Sequence, residues 1–151
     1  SEKIIENWMY ANSVHLIDFI DILARGDLLC CSNIIPWDKG KSNFVSSILK
    51  FSSGDLVLYN AIWNAPSPWS ITVQTKATFY SLSPIEKLIY QTNKSRELFE
   101  VPTEKIDLKY KPGLFKQVNE FLKCIKNEKN LLINVKNNKK TMKLIKQIYE
   151  V

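Results

Sequence analysis

One histidine occurs in the chain, and polar side chains recur around it at helical spacing. Asn12, His15 and Asp18 are three residues apart, so a helix would place them on one face. Asp21 continues that face by another turn. Close to a helix N-terminus the dipole disfavours a charged imidazole, so His15 could take a proton from a substrate hydroxyl or donate a hydrogen bond to a substrate oxygen. The alternative is a core histidine whose ring nitrogens bond to Asp18 and to the backbone.

The spacing gives less support to metal or redox chemistry. On a helix, the histidine and the more distant aspartate point in directions too far apart to share one metal ion. Cys30 and Cys31 are adjacent and would lie on opposite faces of a strand, which does not suit a redox pair. With Cys124 they make an odd count without a CxxC spacing. We therefore expect a reduced, cytoplasmic chain with neither a disulfide framework nor a zinc site.

The glycines limit what the chain can bind. Only four are present, and they stand at Gly26, Gly40, Gly54 and Gly113. This separation leaves no GxGxxG pattern and no P-loop pattern. Without a glycine-rich turn that lets backbone amides approach a pyrophosphate, we predict that this chain alone binds neither NAD nor NADP.

Size, composition and charge describe an ordinary globular protein. The 151 residues are 45% hydrophobic and 24% charged, which predicts a single domain over residues 1–151. No apolar run reaches the roughly 18 residues that span a bilayer, and the start lacks a signal pattern, so we expect no membrane partner. Ten lysines in residues 111–151 could contact nucleic acid. No arginine lies among them, so solvated helix faces are the simpler explanation and no nucleic-acid partner is expected.

The elements that would position these side chains can be predicted from periodicity. Asn12 to Arg25 is apolar on most sides and predicts a helix, with Asn12 or Ser13 as its N-cap and Gly26 as its stop. Between residues 28 and 101, β-branched and aromatic runs alternate with turn clusters such as WDKGKSN, SSGD, NAPSP and TNKS, which predicts five to seven strands.

The strands also predict how the sheet is covered. Residues 69–76 alternate between apolar and polar side chains, which indicates an antiparallel sheet. Residues 44–51 and 56–63 are apolar on both sides. Helices can cover one face of such a sheet, and we expect another subunit to cover the second face.

The C-terminal third has a helical period. Leu114 to Ile125 predicts an amphipathic helix, and Asn137 or Asn138 would cap a second one. The apolar stripe of the second helix is Met142, Ile145, Ile148 and Tyr149. Residues 83–86 fit a helical capping box, but the LIYQ run after them favours a strand. The order of one helix, many strands and two helices is typical of an α+β fold.

Four segments resemble one family in the same order along the chain. NSVHLIDFIDILARGD resembles the signature helix of the Gfo/Idh/MocA oxidoreductases, the family of glucose-fructose oxidoreductase and inositol dehydrogenase. NAIWNAPSPWSITV, LSPIEKL, and YKPGLFKQVNEFLKCIKN followed by NNKKTMKLIKQIYE are similar to later segments of that family. The resemblance implies an open, mostly antiparallel sheet with helices on one face. Such a domain is similar to the C-terminal domains of dihydrodipicolinate reductase and glyceraldehyde-3-phosphate dehydrogenase.

The resemblance further implies a C-terminal substrate-binding and dimerisation domain of an NAD(P)-dependent sugar or nucleotide-sugar oxidoreductase, for example in surface-polysaccharide biosynthesis. The cofactor, NAD or NADP, and a lysine from a Glu-Lys-Pro motif would come from an N-terminal Rossmann domain that this chain lacks, so the chain alone should be inactive. Subunits would associate through the sheet face. By the same resemblance, His15 would help bind and deprotonate a sugar hydroxyl, Asp18 would orient His15 or pack behind it, and Asn12 and Asn64 would bind hydroxyls.

One departure from the family leaves a second interpretation open. Many dehydrogenase members carry an aspartate four residues before the histidine, and Ala11 stands there in this chain. The acid/base set is therefore incomplete by comparison with those members. A non-catalytic module that binds a protein through its sheet is the alternative to an enzyme domain.

Overall fold

The computed structural model describes residues 2–39, 41 and 43–151. Gly40 and Ser42, which belong to the WDKGKSN turn cluster, lie outside the described residues. Two compact units are present, the first made of Ser1–Ser67 with Asn134–Val151 and the second of Pro68–Ile133. In chain order, the helices are α1 (Glu2–Ile5), a π-helical turn (Met9–Ser13), α2 (Val14–Leu23), α3 (Lys105–Lys109), α4 (Leu114–Ile125) and α5 (Val135–Tyr149). The strands are β1 (Leu28–Ile35), β2 (Phe44–Phe51), β3 (Leu56–Ile62), β4 (Ile71–Gln74), β5 (Thr78–Leu82), β6 (Leu88–Thr92) and β7 (Phe99–Glu100).

The first unit packs α2 and α5 onto one face of a three-stranded sheet. Its strands run in the order β1–β2–β3 and all pair antiparallel, with Leu49 opposite Val57 and Val45 opposite Ala61. Facing side chains on paired strands share a face, so these four point together toward the helices. The buried apolar core of the described residues consists of Trp8, Met9, Ile17, Ile20, Val45, Leu49, Phe51, Tyr59, Leu144, Ile145, Ile148 and Tyr149.

The opposite face of this sheet also carries apolar side chains, as the sequence of its strands predicted. Leu56, Leu58 and Ile62 are exposed on it, and Leu58 retains 63% of its accessible surface. Ile48 lies opposite Leu58 and is half-buried. The helices therefore cover one face of the first sheet and leave the other open to solvent.

The second unit contains a four-stranded antiparallel sheet in the order β4–β5–β6–β7. Along β4, Ile71 and Val73 are half-buried while Thr72 and Gln74 are exposed, so the predicted alternation is confirmed. The seven strands and their antiparallel pairing confirm the sequence prediction, but the strands are divided between two sheets.

The capping-box alternative at residues 83–86 does not form a helix. The Ser83–Pro84 peptide bond is cis, and the Lys87 N–H donates to the Pro84 carbonyl at 2.8 Å. These residues connect β5 to β6 in a tight turn. The strand predicted from the LIYQ run is confirmed as β6.

The predicted helix boundaries need three corrections. Ser13 has helical backbone angles and makes no capping bond, because the π-helical turn continues directly into α2. At the other end, α2 stops at Leu23, and Ala24 is already extended before Gly26 is reached. Neither N-cap predicted for the first helix therefore acts as one, and Gly26 does not terminate it.

The last helix begins earlier than its predicted caps. Asn134, rather than Asn137 or Asn138, is the N-cap, and its side-chain oxygen accepts a hydrogen bond from the Asn137 N–H at 3.1 Å. Met142 is exposed, and Leu144 takes its place in the buried stripe. The earlier start arises because the asparagine at position 134 has the extended backbone that a capping residue needs.

Candidate functional site

His15 lies in the first turn of α2, and its side chain is exposed. Asn12 lies in the preceding π-helical turn and is half-buried. The Val14 N–H donates to the Met9 carbonyl, so hydrogen-bonded helical backbone precedes the histidine. The dipole argument made from the sequence is therefore wrong, because His15 does not stand at a free helix N-terminus. Its exposure also differs from the burial that a core histidine requires.

The acidic side chains of the same helix are held by α5. Asp18 Oδ1 accepts a hydrogen bond from the Thr141 hydroxyl at 2.6 Å, and Thr141 is buried. Asp21 Oδ1 lies 3.7 Å from Lys140 Nζ. An oxygen of Asp18 is thus engaged in joining two helices, which fixes the carboxylate one turn beyond His15.

A buried chain of hydroxyl groups joins the C-terminal end of α5 to the π-helical turn. Tyr149 donates from its hydroxyl to Ser13 Oγ at 3.0 Å, and the hydroxyl oxygens of Tyr59 and Tyr149 are 2.8 Å apart. Burial raises the pKa of both tyrosines, so both hydroxyls stay protonated at neutral pH. Sequence reasoning placed Tyr149 on an apolar stripe but missed this role. The available signal was that a buried tyrosine hydroxyl normally finds a partner.

Aromatic rings hold the hydroxyl chain in place. Trp8 meets Tyr149 edge to face at a centroid distance of 5.5 Å, and Trp63 stacks on Trp8 at 5.7 Å. Trp37 contacts Tyr149 at 6.0 Å. The tyrosine ring is therefore confined on several sides, which leaves its hydroxyl little freedom to leave Ser13.

The remaining candidate residues lie on other elements of the fold. Asn64 is exposed on the loop after β3 and has a left-handed backbone with φ of 58°. Cys30, Cys31 and Cys124 are free thiols. Burial raises the pKa of the Cys31 thiol, which opposes the thiolate that redox chemistry needs.

The described residues offer neither a metal-ligand cluster nor a membrane-spanning helix. Within residues 2–39, 41 and 43–151, no cluster of three histidine, cysteine, aspartate or glutamate side chains could hold a metal ion. None of the helices in this part of the chain is both long and apolar enough to cross a membrane.

The described residues do not fit a nicotinamide dinucleotide. A dinucleotide loop follows a strand and opens a helix, whereas Gly26 lies between α2 and β1, in the opposite order. Gly54 belongs to the β2–β3 hairpin, and Gly113 lies between two helices. No step of a cofactor reaction can be placed on these residues.

The fold is that of the C-terminal domain of Gfo/Idh/MocA-type dehydrogenases, and the resemblance in the sequence is confirmed at this level. The sequence matches no family model and no curated protein. The structure is similar to a dehydrogenase, MviM, from Clostridium difficile, with a TM-score of 0.76, 17% identity, and coverage of 95% of this chain and 48% of that one.

Two further solved structures are similar. One is UDP-N-acetylglucosamine 3-dehydrogenase GnnA from Acidithiobacillus ferrooxidans, with a TM-score of 0.72, 12% identity, and coverage of 91% of this chain and 44% of that one. The other is described as a putative NADPH-dependent oxidoreductase from Desulfitobacterium hafniense, with a TM-score of 0.64, 18% identity, and coverage of 91% and 42%. The chain thus spans about half the length of the structures it resembles.

Proposed function

We propose that this chain is the substrate-binding and dimerisation domain of an oxidoreductase that acts on a sugar or nucleotide sugar. The observation that carries the proposal is an exposed His15 on a helical segment that hydrogen bonds from α5 hold in place, within a fold shared with oxidoreductases. That the chain spans 42–48% of those proteins supports a second domain, which would be the Rossmann domain that binds NAD or NADP.

This chain's share of the reaction is proton transfer and orientation. His15 accepts the proton of the substrate hydroxyl, and the hydride on the carbon that bears it would pass to the nicotinamide of the second domain, so that this carbon becomes a carbonyl. Asn12 and Asn64 offer amide groups to neighbouring hydroxyls. Asp18, which accepts a hydrogen bond from Thr141 with one oxygen, orients the His15 side chain. Because position 11 is alanine, the histidine acts without the carboxylate that many family members carry there.

The test is His15→Gln in the complete protein that the gene encodes. Loss of a positioned proton acceptor should lower turnover with a sugar substrate by roughly 10² to 10⁴. The melting temperature should stay within a few degrees, because the side chain is exposed. Asp21→Asn is the matched control on the same helix and should leave turnover near the wild-type value. Wild-type turnover of His15→Gln per folded molecule would refute the catalytic role of His15, whereas absence of turnover in the wild-type complete protein would favour the non-catalytic interaction module.

The dimerisation part of the proposal is supported by the open face of the first sheet. Burial of the exposed Leu56, Leu58 and Ile62 against a partner would stabilise the dimer by about 25 cal/mol for each Å² of apolar surface removed from water. Light scattering of the 151-residue chain should give at least twice the 17.5 kDa of one chain, and Leu58→Asp should return it to a monomer. A wild-type monomer at micromolar concentration would contradict this interface.

A further inference from the structure

The hydrogen-bond direction in the buried hydroxyl chain can be assigned from its chemistry. A phenol has one proton, and Tyr149 donates that proton to Ser13 Oγ. The contact between Tyr59 and Tyr149 therefore has Tyr59 as its donor. Tyr59 also interacts with Ser13, but the hydrogen bond donated to Ser13 Oγ comes from Tyr149, which is the member of this group that belongs to α5.

Ser13 occupies a sensitive position in the backbone. It is the last residue of the π-helical turn, directly between Asn12 and the α2 residues that include His15. A π-helical turn is rare, because the α-helical hydrogen bonds are normally preferred, and it persists where side-chain contacts hold it. The bond from Tyr149 is such a contact, and Ser13 itself is buried.

The contacts from α5 lie on both sides of His15 in the sequence. Tyr149 holds Ser13 before the histidine, and Thr141 holds Asp18 after it. Loss of the earlier contact would let the turn relax toward α-helical spacing. Relaxation would rotate Asn12 relative to His15 about the helix axis and so change where the two side chains stand.

We propose that Tyr149 is a positioning residue for His15, acting through the Ser13 hydroxyl on the π-helical turn. The effect of Tyr149 on catalysis rests on the proposed function. The effect of Tyr149 on the position of His15 does not depend on that function.

The experiment uses the fact that His15 is the only histidine of the chain, so its ring gives a single set of NMR signals. In the 151-residue chain, Tyr149→Phe and Ser13→Ala should each shift these signals, and in the same direction. Tyr59→Phe is the comparison variant: it removes the other phenol hydroxyl but leaves the bond from Tyr149 to Ser13, so it should shift the signals less than Tyr149→Phe. Combining Tyr149→Phe with Ser13→Ala should add little to either change alone.

The outcomes separate this inference from the proposed function. In the complete protein, Tyr149→Phe should lower kcat roughly tenfold with little change in KM, as expected of a misplaced catalytic group. Unshifted His15 signals in Tyr149→Phe and Ser13→Ala, or an equal shift in Tyr59→Phe, would overturn the inference whatever the activity. Shifted signals together with an active His15→Gln variant would support the positioning role and refute the catalytic role proposed for His15. If Tyr149→Phe does not fold, Ser13→Ala decides alone.

Discussion

The two units have similar apolar patterns in their helices and strands, but the first unit buries far more of its apolar side chains than the second. In the first unit, α5 contributes Leu144, Ile145, Ile148 and Tyr149 to a continuous apolar core. In the second unit, none of residues 68–133, all of which the structure describes, is buried. Helix α4 nevertheless carries an apolar stripe at least as regular as that of α5. Periodicity therefore predicts which face of a helix is apolar but not whether that face is covered.

Different forces hold the two units. The first unit is stabilised by removing side chains from water, and Tyr149 and Trp8 are among the side chains it buries almost completely. The sheet of the second unit is stabilised by backbone pairing and by aromatic pairs across strands. Tyr90 lies between Tyr80 and Phe99, at centroid distances of 6.5 and 5.4 Å. Substitutions of the same kind should therefore have unequal effects in the two units.

The largest contrast is expected for isoleucine in the two long helices. Ile145 in α5 is 0% exposed and Ile125 in α4 is 62% exposed. Ile145→Ala should lower the free energy of unfolding by about 2–5 kcal/mol, because it leaves a cavity in the core. Ile125→Ala should change it by at most about 0.5 kcal/mol. Urea unfolding of both variants measures the contrast, and an equal loss would show that the α4 stripe is covered in solution.

A smaller contrast is expected between two glycines with similar backbones. Gly26 and Gly113 have φ of 79° and 77°. A Cβ on Gly26 would overlap the Ser52 hydroxyl and lie 3.0 Å from the Ser53 backbone nitrogen, whereas a Cβ on Gly113 would meet nothing within 4 Å. Gly113→Ala should cost about 1 kcal/mol for the left-handed backbone alone. Gly26→Ala should cost roughly 2 kcal/mol or more in thermal unfolding, and equal costs would refute the close approach.

The smallest effect concerns two half-buried carboxylates, Asp55 and Glu120. Arg25 donates to Asp55 from its side chain at 2.7 and 3.0 Å and from its backbone at 2.9 Å, and these bonds lower the Asp55 pKa. Glu120 in α4 also has a lowered pKa, chiefly because of Lys123. A depressed folded-state pKa adds stability above the ordinary carboxylate pKa, and that stability is lost as pH falls through the folded value.

Asp55→Asn should therefore reduce stability at neutral pH, with a difference from wild type that shrinks as the medium becomes acidic. Its bonds connect the α2–β1 link to the β2–β3 hairpin, whereas Glu120 pairs with Lys123 in its own helix and accepts one bond from the Leu131 N–H. Glu120→Gln should accordingly show a weaker pH dependence of unfolding in the same titration. An Asp55→Asn difference that stays constant with pH would contradict a role for the ionised carboxylate.

Local pattern alone predicted a substantial part of this protein. The limits of α4, the alternation along β4 and the number of strands follow from the periods of a helix and a strand, which depend on neighbouring residues only. The glycine spacing excluded a dinucleotide loop for a similarly local reason. His15, Asn12 and Asp18 were singled out from their spacing, and the structure places all three on one continuous helical segment.

Only the tertiary structure decided how that segment is held. The π-helical turn, the bond from Tyr149 to Ser13 and the bond from Thr141 to Asp18 were not predicted. The bonded residues are 136 and 123 positions apart in the chain, so their meeting depends on how α5 returns onto the sheet. A hydrogen bond between such distant side chains leaves no periodic signal, because each hydroxyl is also compatible with solvent or a local cap.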